Sequence, residues 1–161
     1  MTDVKEIDYA ARRAALVEKY TPTNQPAGVG DPVATGGVDH LALICSDIGR
    51  TIKFYTEVVG MTLNKVVANR DEPSSTHIFL DMGGGNFLAF FDFPKNGPLK
   101  TQRGVGSMHH LALKCTPEQY NKAILTLRER DIKHDIHGDE TVGSIYFRDP
   151  DDILLEITTG Y

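Results

Sequence analysis

Tryptophan is absent from the 161 residues, cysteine occurs only twice, and no apolar run approaches the roughly 20 residues of a membrane span. Each shortage excludes a class. Two cysteines cannot frame a disulfide-built miniprotein, and they make a reduced, cytoplasmic setting the expectation. Basic residues are also in deficit: 17 Lys and Arg stand against 22 Asp and Glu, a formal charge of −5. That balance offers no broad electrostatic claim on nucleic acid or an anionic membrane. Residues 1–20 lack the apolar segment of a secretory signal. No phosphate-cradling P-loop, dinucleotide fingerprint, nucleophile-elbow serine or Cys₄ zinc pattern is present. What remains, with 40% hydrophobic residues, is one globular domain with a core of its own.

Residues 4–20 (VKEIDYAARRAALVEKY) read as an amphipathic helix, with Ile7, Ala11, Ala14 and Ala15 near one face and Arg12, Arg13, Glu18 and Lys19 mostly on the other. Residues 21–37 then supply three Pro and four Gly with little periodicity, which is linker composition. Residues 1–36 are therefore expected to be an arm, a strap lying on the main domain or on a partner subunit. Residues 37–161 are the domain itself.

Within that domain the chain repeats itself. Val38 to Cys45 (VDHLALIC) matches Met108 to Cys115 (MHHLALKC) at an offset of 70 residues. Each copy runs into a helix signal: Ser46 or Asp47 as a cap before Ile48, Ile52 and Tyr55, and a Thr116-Pro117-Glu118-Gln119 capping box before Tyr120, Ile124 and Leu127. Three strand-like runs follow each helix. In the first copy they are 61–68, 77–82 and 87–93; in the second they are 132–136, 144–148 and 153–159. The expectation is an α+β fold of two βαβββ modules, 37–95 and 106–159, forming a curved mixed sheet around a cleft, with helices outside.

Alternation along the first strand of each module separates Leu41, Leu43 and Cys45 from His40, Ala42 and Ile44, and likewise Leu111 and Leu113 from His110 and Ala112. A histidine beside a small alanine suits a cavity wall that must both ligate and leave room. His40 and His110 hold the same repeat position, and Glu156 interrupts the apolar run 153–157, where an unpaired charge would be costly. Two imidazoles and one carboxylate make a facial triad for Fe(II) or Mn(II), and Zn(II) would also accept them. His109 is expected to point to the face opposite its neighbour. Cys45 and Cys115 read as small buried hydrophobes.

This pattern resembles the vicinal oxygen chelate superfamily, which includes glyoxalase I, extradiol ring-cleaving dioxygenases, fosfomycin-resistance enzymes, methylmalonyl-CoA epimerase and bleomycin-binding proteins. The resemblance covers residues 37–159 and rests on DHLALICSDIGRTIKFYTEVVGM, HHLALKC and FRDPDDILLEI. It implies metal ligands at His40, His110 and Glu156. The fourth ligand of the glyoxalase I type, a Glu on the last strand of the first module, falls here on Ala89, which argues against that chemistry. The extradiol spacing of His, Tyr and metal Glu is matched by His137, Tyr146 and Glu156. By this resemblance the protein is a one-module, non-haem Fe(II) extradiol dioxygenase that binds a catechol-like or other vicinal-oxygen substrate and dioxygen, with His137 and Tyr146 catalytic and Phe87 and Phe91 lining a ring pocket. A homo-oligomer is the implied assembly. The alternatives are a glyoxalase-like lyase, isomerase or epimerase acting through an enediolate, a fosfomycin-modifying transferase, and a metal-free drug-binding protein. Tyr146 and Glu156 can share a face only if paired residues sum to an even number, so an odd-length loop or a bulge is predicted at 149–153.

Overall fold

The structure, a computed structural model, describes residues 8–20, 36–95 and 100–160. Helix α1 (Tyr9–Tyr20) is opened by Asp8, whose carboxylate accepts from the Ala10 and Ala11 amides at 3.0 Å. It belongs to one unit, Met1–Gly37, and everything below belongs to a second, Val38–Tyr161. Residues 4–7 of the expected arm helix and most of the linker lie outside the described residues.

In the second unit the caps fall where the sequence signals stand. Asp47 accepts from the Arg50 amide at 2.7 Å and opens α2 (Ile48–Phe54). α2 widens into a single π turn at Tyr55–Val59 before Gly60, at φ 84°, ends it in the left-handed conformation that glycine adopts without steric cost. Thr116 and Gln119 exchange the two bonds of a capping box and open α3 (Pro117–Glu129).

The strands form two four-stranded sheets of identical topology. The first is ordered β1-β4-β3-β2, from β1 (His40–Cys45), β2 (Thr62–Ala68), β3 (Thr76–Asp81) and β4 (Phe87–Asp92). The second is β5-β8-β7-β6, from β5 (Leu111–Lys114), β6 (His134–Gly138), β7 (Gly143–Arg148) and β8 (Leu154–Thr158). The outer pairs β1–β4 and β5–β8 are parallel, the others antiparallel. Two βαβββ modules are therefore present.

As expected of two paired modules, there are two mixed sheets, each hydrogen-bonded within itself. The modules are fused through their apolar sides. Phe90, Ile78, Leu80 and Leu88 from one sheet and Ile145, Phe147 and Leu155 from the other share one core with Tyr55, Tyr120, Ile124 and Leu127 from the helices. The Tyr55 and Phe90 ring centroids are 5.0 Å apart, and Phe54 lies 6.3 Å from Phe147 across the module boundary. Each such fully buried side chain contributes about 1.5–3 kcal/mol. Packing the helix sides together leaves the other face of each sheet outside the core.

Candidate functional site

The β7–β8 loop decides which side chains meet. Arg148 pairs with Leu154, so the loop has five residues, an odd length, and Tyr146 sits directly opposite Glu156 on one face. Asp149 braces it: its carboxylate accepts from the Asp151 and Ile153 amides, both at 2.8 Å, and from the Tyr55 hydroxyl at 3.1 Å. Burial raises the Asp149 carboxyl above the usual carboxylate range, partly offset by these donors, and burial also raises the Tyr55 phenol, with the Asp149 charge second. Asp151 accepts from the Ser46 amide at 2.9 Å and from Arg50 at 3.0 Å, tying the loop to the end of β1.

On the face so aligned, β5 and β8 bring His110 Nε2 to 2.9 Å from Glu156 Oε2. Glu156 is fully buried and neighbours Ala112, whose small side chain leaves the strand surface low beside it. The Tyr146 ring centroid is 6.0 Å from that of His110 and 5.1 Å from that of His137, which lies on β6. Asp135 pairs with Tyr146 across β6–β7. A concavity of about 660 Å³ opens here, lined among others by His109, His110, Asp135, His137, Tyr146 and Arg148. Four of the residues singled out from the sequence thus converge on module two.

His109 is not on the opposite face. Its Nδ1 lies 2.8 Å from His110 Nδ1, because both histidines precede the first paired residue of β5, Leu111, and escape the alternation of a pleated strand.

The other predicted residues stand on module one. His40 Nδ1 is 2.6 Å from Asp39, and its ring is 5.6 Å from Phe79, edge on. Phe91 stacks on His77 at 3.7 Å, and Phe87 meets Phe79 edge to face at 6.4 Å. In the sequence His77 is marked by nothing more than the start of a strand. Its pKa is lowered, first by desolvation and then by the His40 and Lys65 charges. Phe87, Phe91 and Ala89 share this aromatic face, with Ala89 opposite both Ala42 and Phe79.

Among the described residues no group of three or more His, Cys, Asp or Glu side chains stands ready to hold a metal ion. Of the expected ligands, His110 and Glu156 are in contact on module two, and His40 stands on module one. Sequence reasoning does not single out Asp39, which the repeat aligns with His109.

The family model described as Glyoxalase/Bleomycin resistance protein/Dioxygenase superfamily matches residues 37–157, and the chain belongs to that superfamily. The uncharacterized protein YwkD of Bacillus subtilis is 29% identical over 123 residues, 74% of this chain and 94% of YwkD. MhqE of the same organism, provisionally named a ring-cleaving dioxygenase, is 26% identical over 76% of this chain but only 41% of its own length. In fold, the chain is similar to the fosfomycin resistance protein FosX of Listeria monocytogenes, solved as a point mutant complexed with Mn(II) and 1S,2S-dihydroxypropylphosphonic acid. That likeness has a TM-score of 0.62 and 19% identity and covers 80% of this chain and 95% of that one.

Proposed function

We propose that this protein is a metal-dependent ring-cleaving dioxygenase of extradiol type, acting on a catechol-like molecule, whose metal centre takes His110 and Glu156 from one copy and His40 from a second. The convergence of His110, Glu156, Tyr146 and His137 on one sheet face carries this reading. The donors fit a divalent ion: an imidazole nitrogen and a carboxylate oxygen already stand 2.9 Å apart, and nitrogen with oxygen suits Fe(II), Mn(II) or Zn(II). They are one donor short of a facial triad. His40 is the equivalent histidine of module one, on a face outside the core that also exposes Ile44 and Val67, the kind of surface a second copy covers.

His40, His110 and Glu156 would hold the ion, and Fe(II) bound there would supply coordination of the two vicinal oxygens and activation of dioxygen. The chain does the rest. Tyr146 donates its hydroxyl proton to a phenolate oxygen of the substrate, and His137 beside it holds a proton and returns it as the ring opens. The Phe87, Phe79 and Phe91 face supplies an apolar wall for the ring. Both atoms of dioxygen enter the product as the carbon–carbon bond next to the diol breaks, so no external reductant is needed. Ala89, where a second carboxylate would stand in an enediolate isomerase of glyoxalase I type, favours ring cleavage over that chemistry.

Anaerobic reconstitution with Fe(II), followed by a catechol panel in air, should yield yellow ring-opened product from at least one catechol. A fully loaded protein that turns over none of them overturns the dioxygenase reading. Mixing the inactive variants His40→Ala and Glu156→Gln tests the shared centre. Random exchange places one intact site in half of the dimers, restoring about a quarter of wild-type activity. No recovery after demonstrated exchange overturns it.

A further inference from the structure

The residue before each candidate ligand histidine reaches back to that histidine's Nδ1. Asp39 Oδ1 lies 2.6 Å from His40 Nδ1, and His109 Nδ1 lies 2.8 Å from His110 Nδ1. Neighbours in a regular strand point to opposite faces, so this contact is available only where pleating has not begun. Both sites meet that condition, since His40 is the first residue of β1 and His110 precedes β5. The internal repeat that aligns His40 with His110 also aligns Asp39 with His109. Two modules have thus reached one geometry with two different residue types.

We propose that Asp39 and His109 are paired positioning residues, each holding its neighbour's imidazole with the proton on Nδ1 so that Nε2 is turned to the metal. This rests on the metal-centre reading above. An imidazole ligates through one nitrogen, and the partner of the other selects which. In module two the alignment is visible: with Nδ1 facing His109, His110 presents Nε2 to Glu156. An Nδ1-to-Nδ1 contact needs one donor and one acceptor, so a ligating His110 requires His109 to accept and to carry its own proton on Nε2. The two positioning residues are not equivalent. Asp39 offers a charged acceptor and favours the Nδ1–H form of His40 with or without a metal, whereas His109 offers a neutral one that must adopt a single tautomer.

Zn(II), a diamagnetic probe, separates this proposal from the reading beneath it. Equilibrium dialysis of the full-length protein with Zn(II) should give binding in the wild type, loss in Glu156→Gln, and about 10–100-fold weaker binding in Asp39→Ala and in His109→Ala. Asp39→Asn and His109→Gln, which keep a neutral acceptor, should recover most of it. Imidazole ¹⁵N spectra of the metal-free protein should place the His40 proton on Nδ1 in the wild type and shift it toward Nε2 in Asp39→Ala, a change that loss of fold alone would not single out. Zn(II) binding unchanged in both alanine variants, or a wild-type His40 protonated on Nε2, overturns the positioning role while leaving the metal centre standing. A wild type that binds no Zn(II) overturns both.

Discussion

Phe79 and Tyr146 occupy the same place in the two modules, and so do Ala89 and Glu156. Each pair is confirmed by register, since Phe79 faces Ala89 across β3–β4 and Tyr146 faces Glu156 across β7–β8. The first strand completes both rows with an alanine, Ala42 beside Ala89 and Ala112 beside Glu156. One backbone plan therefore carries a mainly aromatic face in module one, with Lys65 over the Phe79 ring, and in module two a face bearing His110, His137, Tyr146 and Glu156. Substitutions at a few cross-strand positions are enough to give the two equivalent faces different chemistry.

Experiments can break this division or sharpen it. Glu156→Gln removes the carboxylate that module one lacks. We expect catalytic efficiency to fall by roughly 1,000-fold or more, with loss of the divalent ion, read by metal analysis alongside steady-state kinetics. The reverse graft, Ala89→Glu, puts a carboxylate at a fully buried position between Ala42 and Phe79. It should cost about 3 kcal/mol, measured by urea unfolding. Next come the aromatic partners. Tyr146→Phe makes module two resemble module one and should lower kcat by roughly 10–100-fold while leaving metal affinity unchanged. Phe79→Tyr should change kcat by less than about twofold, since the binding wall keeps its area. A large loss on Phe79→Tyr would erase the distinction between the faces.

The smallest expected effect concerns the brace between the modules. Asp149 has a raised pKa because it is buried, so its neutral form is the one folding favours. Its contribution to stability is complete below the ordinary value of 3.8 and declines as pH rises through the raised value. The stability difference between the wild type and Asp149→Asn should therefore shift against the wild type as pH is raised from the acid side, in urea unfolding at a series of pH values. A difference independent of pH would mean that the carboxyl is ionised equally in both states.

Much of the architecture is legible because its causes are local. The capping box at Thr116 and Gln119, the Asp47 cap and the glycine stop at Gly60 are each set by a few adjacent residues. The βαβββ succession of each module follows from the repeat, and the odd loop at 149–153 follows from parity once Tyr146 and Glu156 are placed on one face. The expected orientation of His109 fails because the pleat of β5 begins one residue later than the repeat suggests. The π turn at Tyr55–Val59 carries no comparable local signature.

The amino-acid sequence by itself determined the two modules, their registers and the chemistry of each face, since alternation, capping and turn length act over a few residues. The tertiary structure alone decided which faces meet. Tyr55, Tyr120, Phe90 and Phe147 pack the helix sides into a common core, and Tyr55 and Ser46 fasten the β7–β8 loop to module one. That choice is a competition between apolar surfaces far apart in the chain. It settles on the arrangement in which the helix sides of both modules share one core.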